Sequence, residues 1–71
     1  MYNPTLSLTT QGRKKAEEVG PGQGAKWAIV SAIYEQGPMT YDEVSEATNV
    51  DPQTVNSNVA ELIARGYVVA Q

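Results

Sequence analysis

Apolar residues recur along this chain in three helical rhythms. Between Ala25 and Gln36, Trp27, Val30 and Tyr34 share one stripe and Ile29 and Ile33 the next, which predicts a helix buried from two sides. Tyr41, Val44 and either Ala47 or Thr48 give the inward face of a shorter helix that ends near Asn49. Val55, Val59, Leu62 and Ile63 follow at spacings of 4, 3 and 1, which predicts a third helix from about Pro52 to Arg65 with one buried stripe. Two segments lack that rhythm. Thr5 to Thr9 alternates, so Leu6 and Leu8 share one face of a short strand, and Tyr67-Val68-Val69-Ala70 reads as a second strand. Thr10 to Val19, with basic and acidic neighbours around Ala16, reads as a short surface helix.

The boundaries are marked by residues with a mechanical reason to stand there. Thr9 or Thr10 can cap the surface helix, although Gly12 weakens its first turn. Gly37 followed by Pro38 stops the helix that begins at Ala25. Thr40 and Glu43 have capping-box spacing, and Asp42 and Glu43 suit the positive end of the helix dipole. Asp51 caps the last helix, Pro52 fills its first position and Gly66 ends it. Only Asn49-Val50-Asp51 separates the last two helices, with Val50 placed to plug the junction. The whole chain, 1–71, thus reads as one domain: 1–19 a strand and short helix, 20–24 a Gly/Pro loop, and 25–70 a helical core with a closing strand.

Composition narrows the chemistry. At 41% apolar and 18% charged residues, the chain can bury a core and is not of disordered type. It has no Cys and no His, which excludes disulfides, thiolate nucleophiles and Cys/His metal sites; no cofactor and no enzyme activity are expected. No 18-residue apolar run exists to span a membrane, and Met1-Tyr2-Asn3-Pro4 lacks the features of a signal peptide, so an intracellular, cytoplasmic protein is expected. The net charge of −3 is unevenly spread. Met1 to Lys26 holds four bases and two acids (+2), whereas Trp27 to Gln71 holds one base and six acids (−5).

Three helices with a tight turn between the second and third, followed at once by a strand, have the form of a helix-turn-helix. The stretch Met39 to Val69 resembles the winged-helix family of transcription regulators. The residues that carry the resemblance are Thr40-Tyr41-Asp42-Glu43-Val44, Asn49-Val50-Asp51-Pro52-Gln53-Thr54-Val55 and Leu62-Ile63-Ala64-Arg65-Gly66-Tyr67-Val68. The resemblance implies a mainly α fold with a small β-sheet, and a third helix that enters the major groove of double-stranded DNA. With Val55, Val59 and Leu62 inward, the outer arc holds Gln53, Thr54, Ser57, Ala60, Glu61 and Ala64, with Asn56 and Asn58 on its flanks. Gln53, Thr54, Asn56 and Ser57 are the candidate base readers, because amides pair with adenine edges and hydroxyls suit any base. Arg13, Lys14, Lys15 and Lys26 are the candidate phosphate contacts, with the helix start at Thr40 and Tyr41 as a further anchor. A homodimer is expected, since two copies double the contacts.

Two features depart from that family. The strand after the third helix leads to no second strand, so the wing is expected to be reduced or absent, with Thr5 to Thr9 pairing antiparallel with Tyr67 to Ala70 instead. Leu8-Thr9-Thr10-Gln11-Gly12-Arg13 resembles the segment that follows the wing in many members, yet here it precedes the first core helix. The acidic balance around the helix-turn-helix, with Glu61 on its outer face, leaves a protein-interaction module without direct DNA binding as the alternative. Gly20 to Lys26 is a linker and not a phosphate loop, because Trp27 stands where Ser or Thr would hold magnesium. Asp42, Glu43 and Glu46 read as capping and solvated residues, and Trp27 as a core anchor.

Overall fold

A computed structural model describes residues 4–71; Met1 to Asn3, on which the reading of the chain start rests, lie outside it. The chain forms β1 (Thr5–Leu8), α1 (Thr10–Glu18), a 3-10 turn (Pro21–Gln23), α2 (Ala25–Gln36), β2 (Met39–Thr40), α3 (Tyr41–Thr48), α4 (Pro52–Ala64) and β3 (Val68–Ala70). All the expected elements are present, and Met39–Thr40 adds a short strand that the pattern did not announce. Two residues are too few to show an alternation.

The helix ends follow the local chemistry. The Thr9 side chain, not that of Thr10, caps α1 by accepting from the Gly12 backbone N–H. That role takes Thr9 out of β1, which therefore ends at Leu8. Thr40 and Glu43 form the full capping box on α3: Glu43 N–H donates to Thr40 Oγ1 at 3.2 Å and Thr40 N–H to Glu43 Oε1 at 2.9 Å. Asn49 then takes a left-handed conformation, φ 58°, which its short amide side chain tolerates, and so turns the chain toward α4. Asp51 accepts from the Thr54 backbone at 3.1 Å to start α4. Gly66, φ 82°, ends the helix and directs the chain into β3.

Leu6, Ile29, Val30, Ile33, Met39, Val44, Val55, Val59, Leu62 and Val68 form one core drawn from both strands and helices, with Trp27, Tyr41, Val50 and Tyr67 packed on its rim. Leu6 from β1 is completely buried, so the N-terminal segment is part of this core and not an appendage. Two expected core positions are corrected, and one alternative is decided. Tyr34 is 43% exposed, and its hydroxyl reaches across to donate to Glu17 Oε2 on α1 at 2.9 Å. Ile63 is 39% exposed, because it lies a 100° step past Leu62 and so turns off the buried stripe. Of the pair on α3, Thr48 is half-buried and bonds back to the Val44 carbonyl, while Ala47 is exposed.

The sheet has strand order β2-β1-β3, antiparallel throughout. As expected, the N-terminal strand pairs with the C-terminal one: Leu6 faces Ala70, Ser7 faces Val69 and Leu8 faces Val68. Its other edge meets β2, where Thr5 faces Thr40 and Leu6 faces Met39.

Candidate nucleic-acid interface

Burial of Val55, Val59 and Leu62 fixes the roll of α4 and turns its opposite side to solvent. At its N-terminal end, Gln53, Asn56 and Ser57 are exposed, and among the described residues their side chains make no hydrogen bond or ion pair. Thr54 differs from the other base-reading candidates. It is half-buried, and its hydroxyl donates to Asp51 Oδ1 at 2.6 Å, so the residue serves the helix cap. Those Thr54 donors hold the Asp51 carboxyl below the usual carboxylate range. Asn58 is half-buried too, with its amide donating to the Thr54 carbonyl at 2.9 Å. Gln53, Asn56 and Ser57 are therefore the free polar side chains of this face, with Ala60 beyond them.

The C-terminal end is arranged differently. Glu61 accepts from Lys26 Nζ at 2.6 Å and from Arg65 at 2.9 Å. The Lys26 hydrogen bond, helped by both positive charges, holds the Glu61 carboxyl below its ordinary range. Lys26 also lies over the Trp27 ring, 5.8 Å from its centroid, and Trp27 leans on Tyr67 with ring centroids 6.0 Å apart. The pattern placed Glu61 on the outer face, facing phosphates. The fold gives it two cationic partners, one of them 35 residues away in sequence, which no local spacing could have revealed.

The remaining phosphate candidates sit on other elements. Arg13 and Lys14 are exposed on α1, and Lys15 makes a loose ion pair with Glu18 at 3.8 Å. Helix α1 starts beside the end of α4: Thr9 Oγ1 donates to the Gly66 carbonyl at 2.6 Å and Thr9 N–H to that of Tyr67 at 3.0 Å. Gly12 is buried there, and a Cβ on it would be driven into the Tyr67 carbonyl oxygen. The start of α1 thus adjoins the C-terminal end of α4, and Gln53 lies about 16 Å back along that helix at 1.5 Å per residue, while Arg13 lies beside Ile33 and Tyr34 of α2. The structure brings Lys26 to Glu61 but joins none of the candidate bases to Gln53, Asn56 or Ser57. At the start of α3, the Thr40 hydroxyl and N–H are both spent in the capping box, and Tyr41 is half-buried against the core. Two acids, Asp42 and Glu43, occupy the same turn.

Sequence reasoning missed the corner formed by Thr9, Gly12 and Tyr67. The one available signal was a glycine inside an otherwise helical segment, which often marks a close backbone approach. Among the described residues no group of acidic side chains is placed to hold a metal ion, and no helix is long and apolar enough to cross a membrane.

A tight α3–α4 turn, an exposed polar α4 and an antiparallel sheet built on the strand after α4 define a winged-helix protein of the transcription-regulator class. The chain belongs to the MarR family, whose family model matches residues 23–71, about two thirds of its length. That family comprises regulators and not enzymes. No curated protein and no solved structure matches the chain significantly.

Proposed function

We propose that this protein is a DNA-binding transcription regulator whose α4 enters the major groove and reads base edges with Gln53, Asn56 and Ser57. The observation that carries the reading is the N-terminal half of α4. It is exposed, polar, free of fixed ion pairs and held in place by the Asp51 cap and the buried stripe beneath it. Amides at Gln53 and Asn56 offer adenine a donor and an acceptor together, and Ala60 is small enough to approach a thymine methyl. Thr54 supports the cap and positions the turn.

Arg13, Lys14 and Lys15 supply phosphate contacts from α1, while Lys26 contributes only in competition with Glu61. Because these bases stand on α1 and not on α4, one copy covers a duplex sparsely. A homodimer acting inside the cell is part of the same proposal. MarR membership favours DNA over the protein-interaction alternative, despite the acidic balance of residues 27–71.

The test is a gel-shift titration against a random duplex pool at low salt, followed by selection of the bound sequences. Retention of a recurring site is expected, with Lys14→Ala and Lys15→Ala weakening all duplexes alike. Absence of any bound duplex, with a defined protein recovered instead from nuclease-treated extract, would reject it.

A further inference from the structure

The N-terminal strand occupies an unusual place. In a winged helix, the strand that leaves the recognition helix turns through the wing and returns along an antiparallel strand, which leads into a closing helix. Here β3 leaves α4, but the strand beside it is β1, from the other end of the chain. Past Leu6 and Ala70 the ladder continues to a rung in which Thr5 and Gln71 exchange both backbone bonds, at 3.0 and 2.9 Å. On its far side β1 pairs with β2, so it is the central strand, and Leu6 is buried in the core. A closing helix, α1, follows at once, its first turn fastened to the end of α4 through Thr9 and Gly12.

We propose that β1 and α1 are the returning strand and closing helix of a winged helix, carried on the N-terminal side of the helix-turn-helix. The order of elements is thus permuted relative to that class, and the β1–β3 ladder stands where the stem of the wing would. Two independent observations agree. The MarR match covers 23–71 and leaves β1 and α1 outside it. The segment Leu8 to Arg13 resembles the piece that follows the wing in many family members. The loop at 20–24 is then the acquired connection: Gly20 and Gly22 are exposed, with no atom within 4 Å of a Cβ placed on either. None of this depends on whether the protein binds DNA.

Two rearrangements of the full chain test the proposal. In the first, a short Gly/Ser linker joins residue 71 to residue 1 and the chain is opened between Gly22 and Gln23. It is expected to unfold cooperatively, with the parent's far-UV circular dichroism and a Tm within about 5 °C of the parent's. In the second, the same linker cyclises the chain and the 20–24 loop stays intact; its Tm is expected to rise by about 5 °C or more, because closure restricts the unfolded state. A cyclised protein less stable than the parent would mean that β1 and β3 cannot be joined as the two arms of one hairpin, and the proposal would fail. A stable cyclised form with an unfolded permutant would show that the loop and not the ladder holds α1, which also overturns it. Hydrogen exchange on the permutant gives a further check. Slow exchange at Leu6 and Leu8 supports β1 as the wing strand, whereas coil-like exchange there beside protected helices refutes it.

Discussion

The two ends of α4 are built on opposite principles. Toward the N-terminus, Gln53, Asn56 and Ser57 stand free on a capped and packed turn. Toward the C-terminus, Glu61 binds Lys26 and Arg65, and the Thr9–Gly12 corner clamps the residues that follow. A single helix thus separates a surface available to a ligand from a joint that holds the domain together. Charge near α4 is mostly spent within the protein, so the proposed function assigns sequence reading and electrostatic attraction to different places.

The largest way to break this contrast is at the joint. Gly12→Ala should cost about 3 kcal/mol through the forced clash with the Tyr67 carbonyl, a fall in Tm of roughly 12–24 °C. Thermal denaturation measures it, and an unchanged Tm would mean that α1 does not press on the Tyr67 backbone. At the opposite end, Gln53→Ala or Asn56→Ala should leave Tm within about 2 °C, since neither side chain supports the fold. Affinity for the selected duplex should drop about 10- to 100-fold, with binding of unrelated duplexes unaffected. Fluorescence anisotropy on both duplexes reads the difference.

Glu61→Gln sharpens the comparison by freeing the charge held at the joint. Release of Lys26 and Arg65 should tighten duplex binding about 5- to 10-fold and steepen the salt dependence by up to about two phosphate contacts. Glu46→Gln is the control, because it removes the same charge from an exposed α3 site that has no cationic partner among the described residues; equal effects from the two would show that only net charge matters. Acid gives the smallest effect. Asp51 and Glu61 are both held below the ordinary carboxylate range in the folded protein. The stability they add is therefore complete above the carboxylate pKa of the unfolded chain, about 4, and is lost as pH falls through their depressed folded values. A shallow decline in Tm below pH 4 is expected, less steep in Asp51→Asn.

How much of this was legible follows the range of the interactions. The α3 and α4 caps depend on residues three apart, and the buried stripe on residues three or four apart, so Thr40, Glu43, Asp51 and Val55–Val59–Leu62 were readable from local spacing. The pairing of β1 with β3 was readable because each segment had strand character. The sequence could not show that β1 lies between two partners, since β2 is only two residues long. Nor could it show that Tyr34 and Ile63 face solvent, because periodicity defines a stripe but not how widely neighbouring elements cover it. The Lys26–Glu61 pair joins different helices, and only the packing of α2 on α4 reveals it.

The Asp51 cap has a further thermodynamic consequence. With Val50 packed at the turn and Thr54 bonded back to Asp51, the first turn of α4 is ordered before any ligand arrives. Association then restricts side-chain rotamers but folds no backbone, so its entropic penalty is small for the area covered. Calorimetry of duplex binding should accordingly show a modest negative heat-capacity change, set by the apolar surface that the helix covers and without the large contribution of coupled folding.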